Sequence, residues 1–335
     1  MRKLASIRKI SALRPIEGAD RIEVATIDGW NVVVNKGIHT VGETIVYFEI
    51  DSLLPVREEF EFLRKSSYKK LPDGTEGFRL KTIRLRGQIS QGLVTPLSVL
   101  PVGDWNVDDD VTDALGVTKY EAPIPANLAG VVKGNFPSFI KKTDEERVQN
   151  FARDWETFRK FRYFVTEKLD GTSFTCYLRD TDFGVCTRNL DVLRDENQTH
   201  WKIVIENNLE EKLKSLGRNL AIQGEIIGEG IQKNPYGLKG HKLYVFNIFD
   251  IDRFEYLPKV EKMEIINSLG LEGVPVIWSD RELPLTIEDA LSLADGKSVI
   301  NDLVDREGFV WVAIDSPERI SFKTISNTFL LGGGE

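Results

Sequence analysis

The chain has 335 residues, 41% of them hydrophobic and 29% charged, with a formal net charge of −8; this length leaves room for two domains, and the balance is that of a globular protein. The acidic balance argues against a general nucleic-acid coat while allowing local basic patches. No apolar run reaches the roughly 18 residues needed to span a bilayer, and the first ten residues, charged at Arg2, Lys3, Arg8 and Lys9, do not read as a secretory signal.

Residues 22–27, 31–34 and 43–49 are β-rich and are broken by Gly29, Gly37 and Gly42. A further strand is expected over 78–86. About five strands in the first hundred residues predict a small Greek-key barrel of the OB type over 1–105. Residues 10–24 resemble the opening of the OB-fold domains that accompany tRNA synthetases. Arg64, Lys65, Lys69, Lys70, Arg79, Lys81, Arg84 and Arg86 are opposed only by Asp73 and Glu76, and Phe62, Tyr68 and Phe78 are interleaved among them. A charge run is usually a solvated face, but interleaved rings suit phosphate tracking with base stacking. Arg79, Lys81, Arg84 and Arg86 are therefore the candidate nucleic-acid contacts.

Residues 106–135 are rich in Pro, Gly and Asp, with Pro123, Pro125 and Gly130, and read as a linker. A helix is expected from Thr143 to Trp155, with Thr143 as its cap and Glu146 completing a capping box. From Tyr163 onward strands dominate, interrupted by helices near 196–216, 257–269 and 287–293. Cys176 and Cys186 sit in or beside strand-like segments and read as two reduced, buried thiols of a cytoplasmic protein. His39, His200 and His241 are scattered, so no Cys/His metal cluster is expected.

Directly after the strand-like run 163–167 come Lys168, Leu169, Asp170 and Gly171. A lysine held beside a tight turn can act as a nitrogen nucleophile once its amine is neutral. A lone K-x-D-G pattern also arises by chance at many surface turns. Five further pieces follow in order: Arg188 with Asn189; Glu225 in an apolar strand; Phe246 in a buried-type strand, with Phe249 as a rival; Glu307 before Gly308; and Lys323 on a last strand.

This order resembles the covalent nucleotidyltransferases, the polynucleotide ligases and mRNA capping enzymes. Within them it is most similar to RNA ligases, because residues 228–234 look like the segment that follows the G-E motif in the RNA ligase 2 type. An OB-like domain in front resembles the Deinococcus-type RNA ligases and extends the likeness over nearly the whole chain. The implied fold is α+β: an OB-type barrel, then an antiparallel-sheet nucleotidyltransferase domain, ATP-grasp-like, over 136–335. Ligases for DNA and capping enzymes carry a domain after the last lysine, and only 12 residues follow Lys323 here, which points away from both.

The resemblance implies the roles. Lys168 would attack the α-phosphate of ATP to form lysyl-AMP. Glu167 would contact the ribose, Arg188 and Asn189 the ribose or phosphate, and Phe246 would stack on adenine. Asp170, Glu225 and Glu307 would hold Mg²⁺ or Mn²⁺, Lys323 would take the α-phosphate, and Arg147 the outgoing pyrophosphate. The substrate would be RNA with a 5′-phosphate and a 3′-hydroxyl, as at a nick in a duplex, in RNA repair; no membrane is involved and no protein partner is indicated. The family's last strand carries two lysines at alternate positions, whereas here Ser321 takes the first place. The rival readings are a DNA ligase or GTP-dependent capping-type enzyme, or a non-catalytic RNA-binding module.

Overall fold

The structure, a computed structural model, describes residues 3–71, 73–120 and 132–332; Pro123, Pro125 and Gly130 of the expected linker lie outside them. The chain divides into two compact units, Met1–Pro123 with Val148–Trp155, and Ile124–Arg147 with Glu156–Glu335.

The strands described in the first unit are shorter and more numerous than expected. They are β1 (Ala5–Lys9), β2 (Ala12–Pro15), β3 (Ile22–Ile27), β4 (Trp30–Asn35), β5 (Thr44–Phe48), β6 (Ser52–Pro55), β7 (Tyr68–Lys70), β8 (Glu76–Arg79), β9 (Thr82–Leu85), β10 (Gln88–Gln91), β11 (Leu93–Thr95) and β12 (Thr118–Lys119). They form antiparallel sheets ordered β1-β5-β11, β2-β3-β4 and β12-β6-β8-β7, with β9 and β10 as a hairpin. Alternation along β4 and β5 sends Trp30, Val32, Ile45 and Tyr47 into one core, and Val46 and Phe48 into another with Phe60 and Phe78. The strand expected over 78–86 is two strands in different sheets. Leu80 turns the chain inward: it is buried, and its backbone bonds to Asp51 and Ser52. Residues 106–120 are packed, with Val111, Leu115 and Val117 in the core and β12 paired to β6.

The second unit holds β13 (Val132–Asn135), β14 (Arg162–Lys168), β15 (Thr172–Arg179), β16 (Asp182–Cys186), β17 (Leu190–Val192), β18 (Leu220–Gly228), β19 (His241–Asp250), β20 (Glu255–Tyr256), β21 (Glu272–Gly273), β22 (Val276–Glu282), β23 (Gly308–Ala313) and β24 (Ser321–Ile325). One sheet runs β13-β17-β16-β15-β18-β19-β20, with β21 parallel to β19, and a second runs β22-β14-β23-β24. Helices form at Thr199–Glu206, Leu209–Ser215, Lys259–Ser268 and Ile287–Ala294. The first two split the single helix expected near 196–216, because Asn208 takes a left-handed conformation (φ 50°) between them.

Strand alternation gives each sheet two chemically distinct faces. In the larger sheet Phe174, Cys176, Ile222, Ile226, Leu243 and Val245 pack beneath Trp201, Leu213 and Ile266 of the helices. Ser173, Thr175, Gln223 and Glu225 alternate with them and so face the other way. In the smaller sheet Tyr163, Trp311 and Phe322 pack as an aromatic ladder with centroids 5.7–6.2 Å apart, Trp311 and Phe322 stacked and Tyr163 edge-on or tilted to them. The opposite face carries Lys168, Thr166 and Phe164. Directly opposed residues share a face, so Lys323 joins it through Thr166 and Val310, and Ser321 through Phe164 and Val312.

Candidate active site

Lys168 ends β14, and its Nζ lies 2.7 Å from Oε1 of Glu307, which stands just before β23. The next residues turn tightly into β15, where Gly171 approaches β18 so closely that an added Cβ would press on the Ile226 carbonyl oxygen, Ile227 and Glu225. That close approach brings Glu225 into the field of Lys168. Burial pushes the Glu225 carboxyl up to about 8; Lys168 opposes the shift, while Glu307 and Asp170 add to it. The Asp170 N–H donates to the Tyr236 hydroxyl at 2.7 Å. Lys168, Asp170, Glu225 and Glu307 thus form one electrostatic cluster drawn from three separate segments.

The acid cluster fits a divalent cation. Among the described residues no three His, Cys, Asp or Glu side chains form a ready-made cage. Oε2 of Glu307 is buried without a hydrogen-bond partner, and three carboxyl groups share one field. A hard ion completed by phosphate oxygens and water matches such a set better than an all-protein cage would.

The other expected residues sort by position. Phe246 is the extra residue of a bulge in β19, since Gln223 opposes Asn247 and Gly224 opposes Val245. Bulges re-aim side chains, and Phe246 packs beside Leu169, Tyr236 and Tyr244. Its rival Phe249 is core, fully buried with edge contacts to Phe254 and Tyr256. Arg188 pairs with Asp144 at 2.8 Å, and the Asn189 amide oxygen accepts from Lys142 at 3.0 Å. Arg147 is buried and bridges by its backbone to Lys323. Glu167 points away from Lys168: it is buried, accepts from the Val299 N–H at 2.8 Å, and its carboxyl is raised chiefly by burial. Its Oε1 has no hydrogen-bond partner among the described residues.

The helix expected from Thr143 does not form. Residues 141–146 are an extended strap, and Val148–Phe151 is only a 3-10 turn. The expected cap is engaged elsewhere, the Thr143 hydroxyl lying 3.4 Å from that of Ser173, and so are the polar groups around it. The Lys141 carbonyl accepts from Gln223, Asp144 holds Arg188, Glu145 takes Ser321 and Arg319, and the Glu146 carbonyl accepts from the Lys323 N–H.

Tyr236 and Glu145 were not expected at the site. Tyr236 arrives on the glycine-rich loop after β18, where Gln232, Lys233 and Asn234 are all left-handed (φ 45°, 61° and 51°). Asn-Pro and the glycines of that stretch signalled a turn, but not what the turn delivers.

In the first unit Arg84 and Arg86 are exposed on the β9–β10 hairpin, whose turn places Arg86 and Gly87 at positive φ. The Arg79 guanidinium lies 4.0 Å over the Tyr120 ring. The Lys81 ammonium is lowered by burial and by the nearby charges of Arg79 and Lys69.

Comparison with known proteins follows the two units. Residues 4–97 match a family model described as an OB-fold domain, and residues 161–325 match one described as RNA ligase. None of the curated proteins compared matches the chain. Among solved structures the chain is similar to a lysine-to-methionine variant of Naegleria gruberi RNA ligase with AMP and Mn, at 43% identity and a TM-score of 0.90, with 98% of each chain covered. A variant of that ligase with ATP and Mn gives 42% identity and a TM-score of 0.89, and the ligase with pyrophosphate gives 43% and 0.89, again over 98% of each chain. With a K-x-D-G lysine beside an acid cluster, a last-strand lysine on the same sheet face, and likeness over almost the full length, the chain belongs to the RNA ligase family.

Proposed function

We propose that the protein seals RNA in three steps, starting from ATP. Lys168 Nζ, once neutral, attacks the α-phosphorus; an N–P bond forms, the bond to the β-phosphate oxygen breaks, and pyrophosphate leaves. An oxygen of a 5′-phosphate end then attacks that phosphorus, and the lysine departs as an amine and regains its proton. Finally a 3′-hydroxyl attacks the capped end, a phosphodiester forms and AMP leaves. The observation that carries this reading is the Lys168–Glu307 pair beside Glu225, on a sheet face to which the last strand adds Lys323.

Asp170, Glu225 and Glu307 would hold a divalent ion, whose contribution when bound is to neutralise charge on the phosphate oxygens. Lys323 steadies the α-phosphate, Phe246 stacks on adenine, and Arg188 and Asn189 exchange their present partners for ribose or phosphate. The unpaired oxygen of Glu167 is an acceptor for a sugar hydroxyl, and Arg147 serves the departing pyrophosphate. Residues 136–335 form the adenylyltransferase domain, and the OB domain, 1–105, holds the RNA through Arg79, Lys81, Arg84 and Arg86 by salt-sensitive phosphate contacts. The substrate is a nicked duplex, and the setting is the cytoplasm, whose reducing conditions suit the free, buried Cys176 and Cys186.

The test is incubation with labelled ATP or GTP and Mg²⁺ or Mn²⁺, followed by denaturation in detergent and a wash in alkali, which a P–N bond survives. Stable label from ATP that disappears in Lys168→Ala supports the proposal; label from GTP alone, or none with either ion, overturns it. Nicks with RNA or DNA at the 3′-hydroxyl strand then separate RNA sealing from DNA sealing.

A further inference from the structure

Moving along the small sheet away from Lys168, the reactive face presents Lys323 one row on, Ser321 a row further, and Arg319 beyond it. Rows are about 6.6 Å apart, two residues of strand. Displacement at phosphorus is in line, so the leaving group departs opposite the attacking nitrogen. With Lys168 at one end of the face, that direction runs toward Ser321 and Arg319.

This end of the face already holds an anion from the chain itself. The two oxygens of Glu145 accept one hydrogen bond each, from the Ser321 hydroxyl at 2.6 Å and from Arg319 Nη2 at 3.1 Å. Arg319 is also braced over the Tyr256 ring at 4.2 Å. Lys262 stands close by, donating to the Phe246 carbonyl at 2.9 Å and lying 5.4 Å from the Phe164 ring. Its ammonium is pushed down to about 8, by burial first and then by the charges of Arg319 and Lys259. Cationic charge gathers at this end of the face, with Arg319 on the carboxylate and Lys262 and Lys259 in the field of one another, an arrangement that a phosphate would relieve.

We propose that Glu145 is a built-in substitute for the outgoing pyrophosphate. It holds Arg319 and Ser321 ready on the strap, gives way when the β- and γ-phosphates of ATP arrive, and returns to help expel pyrophosphate after the N–P bond has formed. Arg319, Ser321 and Lys262 are then the leaving-group subsite, and Arg319 supplies the charge that Ser321 lacks. This rests on the ATP-dependent reading of the same cleft.

Glu145→Gln keeps the size and one acceptor but removes the competing charge. It should lower KM for ATP and strengthen inhibition of adenylylation by pyrophosphate, each by about three- to tenfold, a shift expected from losing one charge beside an anion. Arg319→Gln should do the reverse. Neither variant should change the affinity for AMP, which lacks the β- and γ-phosphates; a merely structural role would move AMP and ATP together. Glu145→Ala, expected to follow Glu145→Gln, guards against an effect peculiar to the amide. If the wild-type chain forms lysyl-AMP yet Glu145→Gln leaves pyrophosphate inhibition unchanged or weaker, or shifts AMP equally, the substitute role is wrong and the ligase reading stands. If the wild-type chain forms no lysyl-AMP from ATP, the ligase reading fails and this inference with it.

Discussion

Lys168 and Glu307 meet at 2.7 Å across the β14–β23 pair, the acid nearly buried and the lysine still reached by solvent. The contact orients the amine, and its position at the strand end leaves the nitrogen accessible to a substrate. Glu307→Gln keeps the shape and removes the charge. Adenylylation should fall on the order of 100-fold, as when one oriented group that stabilises a transition state is lost, with the melting temperature little changed. Equal loss of activity and stability would mean that the pair is structural.

The proposed role of Glu225 as a metal ligand would make metal binding pH-dependent. Its carboxyl shifts from 4.5 to about 8 in the folded chain, so the folded state keeps a proton that the unfolded state gives up. The stabilisation is fully present below about 4.5 and is lost as pH rises through 8. A bound ion requires the carboxylate, so Mn²⁺ binding near pH 7 should release close to one proton, and much less above pH 9. Calorimetry in buffers of different ionisation enthalpy reads this directly. Glu225→Gln should remove the buffer dependence, and a wild-type protein without it would contradict the assignment.

Gly171 sits where two strands and the acid cluster crowd together. Gly171→Ala would drive its methyl against Ile227 and Glu225, whose nearest carbons lie 2.7 and 2.9 Å from the new atom. Backbone atoms would have to shift at a cost of about 1–3 kcal/mol. Lysyl-AMP formation should drop by more than tenfold even where chemical denaturation shows most of the protein folded.

Tyr236→Phe deletes the acceptor of the Asp170 N–H. That loss should cost about 1–3 kcal/mol in denaturant unfolding if no water replaces the hydroxyl. The adenylylation rate should fall while KM for ATP holds, because Tyr236 acts on the turn that carries Lys168 and Asp170. A change confined to KM would place Tyr236 on the nucleotide instead.

Phe322→Ala should cost about 3–5 kcal/mol, since the ring is fully buried between Tyr163 and Trp311 and stacks on Phe158 at 6.2 Å. Urea unfolding measures it.

Much of the candidate site was legible because the order of its motifs resembles a known family, and the structure brings Lys168, Glu225 and Glu307 together. Lys168, Glu225, Glu307 and Lys323 could be named without coordinates, as could strand 22–27. The helix expected from Thr143 failed because Thr143, Asp144, Glu145 and Glu146 found tertiary partners in Ser173, Arg188, Ser321 and Lys323, contacts that local spacing does not encode. The strand expected over 78–86 failed for a related reason, the inward turn at Leu80. Tyr236 was hidden because three consecutive left-handed residues carry it to Asp170 from across the sheet.

The double pairing of β14 has a consequence for exchange with solvent. Flanked by β22 and β23 and laid on an aromatic ladder, its central amides should trade hydrogen for deuterium only when the whole domain unfolds. The strap at 141–146, tied largely by side chains, should exchange through small local openings and become slower with pyrophosphate present. Lys168, the proposed nucleophile, should thus ride on the slowest-opening part of the domain, while the strap that carries Glu145 should open many times for each unfolding event.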